Sequence, residues 1–158
     1  MELAVKGRNF VLVGGTTGMG FGAAHQLAAD GANVALLARD EQRAAERAKL
    51  LSDEYGVRAT GIGVDAAAPG DGVDRAVERA ATELGPLRGL AVTAGPMNQQ
   101  GPFLEHGDDS WDWYYQMIVM ATVRSCRAII PHLQRNGGGT IVTTAAYSVR
   151  APKILIPP

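Results

Sequence analysis

Short apolar runs alternate along this chain with longer segments in which apolar residues recur at helical spacing. Apolar runs of this length are typical of parallel strands that are buried on both faces. Regular alternation of such strands with helices favours βαβ units with right-handed crossovers, so the pattern predicts a doubly wound α/β fold of about five strands, with helices on both faces of the sheet. The predicted strands are Phe10–Val13, Asn33–Ala38, Val57–Val64, Leu87–Thr93 and Thr140–Ala145.

Four helices are predicted, and glycine or asparagine marks the end of three of them, at Gly31, Gly56 and Asn136. The predicted helices run from the first strand's glycine turn to near Asp30, from Asp40 to about Tyr55, over Asp71–Leu84 and over Asp108–Arg135. The segment Met97–Gly107 is longer than a connector needs, and we interpret it as part of a ligand mouth.

The turn between the first strand and the first helix carries the strongest functional signal, G-x-x-x-G-x-G over Gly14–Gly20. A glycine-rich turn that leads into a helix directs unpaired backbone N–H groups and the positive end of the helix dipole at one point, which favours an anion. A flexible connecting turn is the alternative. The position at the first strand-to-helix junction of a βαβ unit favours a phosphate site.

Each position of this turn has its own predicted role. Gly14 permits a tight turn, Gly18 lets a pyrophosphate approach the backbone, and Gly20 lets the helix pack closely on the sheet. Thr16 and Thr17 can donate hydroxyl hydrogen bonds or cap the helix. Ligands of such sheets bind beyond the carboxyl ends of the strands, so the turn, Arg39-Asp40 and Asp65 are expected to converge on one groove.

Bulk composition narrows the classes of function. A chain of 158 residues fits one domain, 1–158, and its formal net charge of −1 gives no electrostatic reason to expect nucleic acid or an anionic membrane as partner. The single cysteine, Cys126, cannot form an internal disulfide, and the N-terminus lacks a signal-peptide pattern. The expected location is therefore the cytoplasm. His25, His106 and His132 show no metal-ligand spacing, so no metal site is predicted.

Several segments resemble, in chain order, the short-chain dehydrogenase/reductase family. Gly14–Gly20 resembles that family's TGxxxGIG motif, with Val13 in the threonine position, and Leu90–Gly95 resembles its strand that ends in NNAG, with Val92-Thr93 in place of both asparagines. Asp65 is similar to the aspartate that contacts the adenine amino group. The other matching segments are Trp111-Asp112 at the start of a long helix and Gly138–Val142 in the fifth strand.

This resemblance implies a Rossmann-like sheet in strand order 3-2-1-4-5, a nicotinamide dinucleotide and a small carbonyl or alcohol substrate. The predicted cofactor-binding residues are Gly14, Thr16, Thr17, Gly18, Met19, Gly20, Arg39, Asp65, Ala94 and Gly95.

Arg39 favours NADP(H) over NAD(H). A carboxylate at the end of the second strand would bind the ribose hydroxyls of NAD and repel a 2′-phosphate, but Ala38 stands there and a guanidinium follows. Asp40 is the alternative acid, although capping the next helix is its better role.

The family's catalytic residues do not appear in the expected places. The resemblance implies a tyrosine and a lysine in a YxxxK pair, an asparagine and a serine. The chain has no YxxxK, and Ile118 and Ala146 stand at the asparagine and serine positions. By register the tyrosine would fall just past Pro158, so we predict no catalytic residue in this chain and interpret it as truncated at its C-terminus.

Two neighbouring residues are weaker candidates for that chemistry. Ser148 could replace the missing serine if the loop is shifted. Tyr147 could present a phenol near the nicotinamide, but without an ammonium group beside it a phenol is a poor base at neutral pH, and packing at a strand end is the favoured role.

Three functions therefore compete. The first is an NADP(H)-dependent oxidoreductase represented by its cofactor-binding portion. The second is a non-catalytic dinucleotide-binding module, favoured by Ile118 and Ala146. The third is an assembly subunit that no longer binds the cofactor. Without the family's later elements the fifth strand becomes a sheet edge, so a homo-oligomer formed through the 108–135 helix and this edge is predicted. A companion segment, or a longer enzyme of which this sequence is a part, is the alternative.

Overall fold

The computed structural model describes residues 4–95 and 102–146, in which five parallel strands form one sheet. Numbered along the chain, the strands lie in the order 3-2-1-4-5. This order and the helices that flank the sheet confirm the predicted doubly wound fold. The strands are β1 (Asn9–Val13), β2 (Asn33–Ala38), β3 (Ala59–Gly63), β4 (Leu87–Val92) and β5 (Thr140–Thr143).

Strand β3 is shorter than predicted because side chains occupy the hydrogen bonds at its start. Asn33 Oδ1 accepts from the Arg58 backbone N–H at 2.9 Å, and Ser52 Oγ accepts from the Ala59 N–H at 3.1 Å. Asn33 Nδ2 in turn donates to Asn9 Oδ1 at 2.8 Å, so buried amides link the amino ends of β1, β2 and β3. This end of the sheet is closed by the protein's own side chains.

Helices cover both faces of the sheet. The first two helices share an apolar cluster with Leu12 and Leu36, whereas the third and the last helix share another with Val11 and Leu37. Neighbouring strand residues therefore point into opposite clusters, as expected for strands buried on both sides. The helices are α1 (Gly18–Ala29), α2 (Glu41–Tyr55), α3 (Gly72–Leu84), α4 (Asp108–Tyr114) and α5 (Ala121–Arg135).

The single long helix predicted over Asp108–Arg135 is corrected by the structure. A π-helical segment, Tyr115–Met120, separates α4 from α5, and a short 3₁₀ turn, Phe103–Glu105, precedes them. A π-helical turn inserts an extra residue into the helical repeat, which apolar periodicity alone does not reveal. Among the described residues, none of the helices is both long and apolar enough to cross a membrane.

Candidate functional site

The carboxyl ends of four strands are joined side by side through backbone hydrogen bonds. The Gly14 N–H donates to the Leu37 carbonyl at 2.9 Å, which ties the glycine turn to β2. On one side the Thr93 N–H donates to the Val13 carbonyl at 2.9 Å, and on the other the Val64 N–H donates to the Ala38 carbonyl at 2.8 Å. The turn, Arg39 and the loop after β3 therefore begin on the same edge of the sheet, and their convergence on one groove stays a prediction.

The packing of the glycine turn against β4 and α1 depends on close backbone contacts at two of its glycines. Gly14 has φ +84°, and a Cβ built on it would lie 2.7 Å from the Ala94 nitrogen. A Cβ on Gly20 would overlap the Gly14 carbonyl oxygen and the Thr93 hydroxyl. The first position therefore needs glycine for its backbone angle and its neighbour, and the second needs it so that α1 can reach the strand ends.

Thr93 holds this turn in a way that the sequence did not reveal. Its hydroxyl lies 3.2 Å from the Val13 carbonyl oxygen and 3.3 Å from that of Gly14. In the sequence, Thr93 stood out only as a departure from the NNAG pattern. Because its hydroxyl contacts both the last residue of β1 and the first residue of the turn, Thr93 fixes where the turn leaves the sheet.

The start of α1 is open. Thr17 occupies the N-cap position but makes no side-chain capping hydrogen bond, so its predicted capping role is wrong. The first turn contains no acidic residue, and a Cβ on Gly18 would have nothing within 4 Å. A diphosphate fits such a start, because the first N–H groups of a helix have no partner within it and Gly18 leaves room beside them.

The predicted residues of this turn differ in exposure. Thr16 is buried, whereas Thr17, Gly18 and Met19 are exposed, Met19 to 74%. Thr16 is therefore mostly enclosed by the turn, and the other three residues form its surface.

Arg39 and Asp40 have different surroundings at the end of β2. Arg39 is exposed and forms no ion pair with any carboxylate in the described part of the chain. Asp40 caps α2, since its Oδ1 accepts from the Arg43 backbone N–H at 2.9 Å. The carboxylate oxygen that could compete for a ribose is thus already bonded, and the guanidinium is free to meet an anion.

Asp65 and the pair Ala94-Gly95 lie on the two sides of the turn. Asp65 is exposed, and its Oδ1 accepts from the Ala67 backbone N–H at 3.0 Å, which closes a tight loop after β3. Ala94 is half-buried against Gly14, and a Cβ on Gly95 would meet nothing within 4 Å. These residues fit a ligand that extends along the strand ends in both directions.

No phenol–ammonium pair is formed by Tyr55 or Lys49. The Tyr55 hydroxyl lies 2.7 Å from His25 Nε2 and 2.7 Å from Glu54 Oε1, while Lys49 Nζ binds Asp53 at 2.6 Å. The hydrogen bond to Glu54 raises the pKa of Tyr55 above its usual value, because it favours the protonated phenol. Tyr55 of α2 therefore links that helix to α1 through His25.

The remaining candidates for chemistry are positioned as follows. Ile118 lies in the π-helical segment with 42% of its surface exposed, and Ala146 is exposed just beyond β5. Tyr147 and Ser148 lie outside the described residues. Among the described residues, no group of three or more His, Cys, Asp or Glu side chains could hold a metal ion.

Known proteins resemble this chain in sequence and in fold. Short-chain reductase protein NovJ from Streptomyces niveus is 32% identical over 94% of this chain and 56% of that protein. NADP-dependent mannitol dehydrogenase from Hypocrea jecorina is 29% identical over 92% of this chain and 55% of that protein. The crystal structure of L-sorbose reductase from Gluconobacter frateurii, complexed with NADPH and L-sorbose, superposes with a TM-score of 0.92 at 32% identity, covering 99% of this chain and 59% of that one.

This chain thus spans about half the length of the relatives that it matches. The sequence profile described as short chain dehydrogenase matches residues 8–157. With nearly its whole length matched, and with the glycine turn placed between the first strand and helix of the sheet, this chain belongs to the short-chain dehydrogenase family.

Proposed function

We propose that this chain forms the dinucleotide-binding part of an NADP(H)-dependent oxidoreductase that acts on a carbonyl or alcohol substrate. The observation that carries the proposal is the open start of α1, which has no capping side chain, no acid in its first turn and free space at Gly18. A bound nicotinamide dinucleotide would supply the hydride chemistry. The residues of this chain bind and orient it.

Each part of the dinucleotide has a proposed partner on the strand ends. The backbone N–H groups at Gly18–Gly20 would hold the diphosphate, with Thr16 and Thr17 shaping the turn. Asp65 would accept from the adenine amino group, and Ala94-Gly95 would lie along the opposite half of the dinucleotide.

Preference for NADP(H) is proposed from Arg39. An exposed guanidinium without an ion-pair partner in the described chain suits a 2′-phosphate, whereas the neighbouring acid that would favour NAD is bonded to the start of α2. The NADPH complex of L-sorbose reductase and the NADP dependence of the mannitol dehydrogenase support this preference.

Titration with NADPH and NADH tests the proposal directly. Arg39→Ala is expected to raise the Kd for NADPH about 10- to 100-fold, because a charge-assisted contact to phosphate is lost, and to leave the Kd for NADH nearly unchanged. Arg127→Ala is the matched control, since Arg127 is exposed on α5 and that helix packs against β4. Equal losses for both nucleotides, or an unchanged Kd for NADPH, would contradict the assignment.

A second candidate is a dinucleotide-binding module without catalysis. It is favoured by Ile118 and Ala146, which place an aliphatic side chain and a methyl group where the family resemblance predicts an asparagine and a serine. Tryptophan fluorescence that responds to NADPH, with no NADPH oxidised in the presence of varied ketones and aldehydes, would support this candidate. Calorimetry that detects no heat with either nucleotide would instead favour an assembly role.

Association through the 108–135 segment stays a prediction. Tyr115, Ile118 and Val119 are exposed apolar side chains of the π-helical segment, and Val142 of the outer strand β5 is 55% exposed. Sedimentation velocity of the wild type and of Ile118→Asp checks it, since a charge at the centre of an apolar contact should shift the population towards monomer.

A further inference from the structure

Arg124 connects two parts of the molecule that are distant in sequence. It lies on α5, half-buried, and its Nη1 donates to the carbonyl oxygens of Ala66 at 3.3 Å and Ala67 at 3.1 Å. Its Nη2 donates to Gln116 Oε1 in the π-helical segment at 2.7 Å. One guanidinium therefore joins the loop after β3 to the segment that contains Ile118.

The loop that Arg124 holds is the one that carries Asp65. The Asp65 Oδ1 accepts from the Ala67 N–H at 3.0 Å, and its carbonyl accepts from the Ala68 N–H at 3.2 Å. The carbonyls of Ala66 and Ala67 are bound by Arg124, so the same short turn is fixed from inside by Asp65 and from outside by the guanidinium. A planar fork with several donors suits this arrangement better than a single ammonium group.

We propose that Arg124 is a positioning residue of the nucleotide site, which acts by holding the Asp65 carboxylate in the orientation that receives the adenine end. This inference rests on the proposed function. Arg124 itself contacts no part of the nucleotide in this proposal. Its bond to Gln116 links the Asp65 loop to the π-helical segment Tyr115–Met120.

A double-mutant cycle in NADPH binding tests this indirect role. Arg124→Gln is expected to raise the Kd for NADPH about 5-fold in the wild-type background, and to have almost no effect when Asp65 is already alanine, because residues that act through one another do not add. A general structural role would lower affinity equally with or without Asp65.

Two further variants keep the test decisive. Arg127→Gln removes the same charge from an exposed position on the same helix, and it should leave the Kd unchanged. Arg124→Lys keeps the charge without the fork and should give an intermediate Kd. It replaces Arg124→Gln in the cycle if circular dichroism shows that the glutamine variant does not fold.

The outcomes separate this inference from the proposed function. Wild-type chain that binds neither NADPH nor NADH would overturn both. Wild-type chain that binds NADPH, with a Kd that Arg124→Gln leaves unchanged or raises equally in both backgrounds, would overturn the role of Arg124 alone.

Discussion

Helices α1 and α2 follow neighbouring strands and pack into the same apolar cluster, yet their first turns are built in opposite ways. At α2, Asp40 caps the Arg43 N–H at 2.9 Å, and Glu41 in the first turn pairs with Arg79 at 2.8 Å. At α1, the N-cap Thr17 makes no side-chain bond and no acid is present.

The difference is the one expected if the start of α1 is kept open for a ligand, as proposed above. Capping and an acid in the first turn each contribute about 0.5–1 kcal/mol of stability. Helix α1 lacks both of these contributions, whereas α2 has both. A diphosphate at α1 would supply both the acceptors and the negative charge that the protein's own side chains supply at α2.

The largest effect is expected from Gly20→Ala. The added methyl would overlap the Gly14 carbonyl and the Thr93 hydroxyl, so the turn must shift, and NADPH affinity should fall about 100-fold. Gly22→Ala is the control, because Gly22 is exposed on the same helix and its Cβ would meet nothing within 4 Å. It should bind normally and unfold at a slightly higher temperature. Similar affinities of the two variants in a fluorescence titration would refute the packing argument.

Thr17→Asp should convert α1 into a helix that starts as α2 does. The carboxylate is expected to cap the helix and raise the melting temperature, while it repels the nucleotide phosphates and lowers NADPH affinity about 10-fold. Thr17→Asn caps without the charge and should retain most of the affinity. Calorimetry of both variants separates the two effects, and equal affinities would show that charge at this end is unimportant.

Much of this contrast could be predicted from the sequence. The apolar runs gave β2 its observed bounds, and the glycine spacing located the turn. Close packing requires glycine at Gly14 and Gly20, whereas Gly18 faces open space. Asp40 was identified as a cap because an acid directly before a helical pattern has that local role.

Other parts depend on contacts between residues far apart in the chain, which a single sequence does not display. Thr93 bonds residues 79 and 80 positions away, and Arg124 reaches a loop 57 and 58 positions away. The π-helical segment was missed because its apolar residues continue the spacing of α4 and α5. The ligand preference of Arg39 also stays a prediction, since exposure identifies an available charge and not its partner.

Asp40→Ala should affect stability and leave nucleotide binding intact. Loss of the α2 cap is expected to cost about 1 kcal/mol in the free energy of unfolding, measured with urea. The Kd values for NADPH and NADH should stay within about 2-fold of the wild type, since the carboxylate is engaged by Arg43. Asp40→Asn, which retains a capping oxygen, should recover most of the stability. A selective loss of NADH affinity would revive Asp40 as the acid that binds the ribose.

The smallest effect should come from Glu83, which completes the charge arrangement at α2 because Arg79 bonds both Glu41 and Glu83. Hydrogen bonds from Thr60 and Arg79 hold the pKa of Glu83 below its usual value. The ionised carboxylate therefore stabilises the fold at every pH above the unfolded-state pKa, about 4.3. This contribution is lost as the pH falls through the lower pKa of the folded state. Glu83→Gln should therefore be less stable than wild type at pH 7, and the two melting temperatures should converge as the pH is lowered below about 4. Thr60→Val removes the first of those donors and should raise the pKa of Glu83 towards its usual value. In that background, Glu83→Gln should change the melting temperature by an amount that depends less on pH. A difference that is independent of pH would mean that Glu83 acts through packing, and that the charges at the start of α2 do not form one connected arrangement.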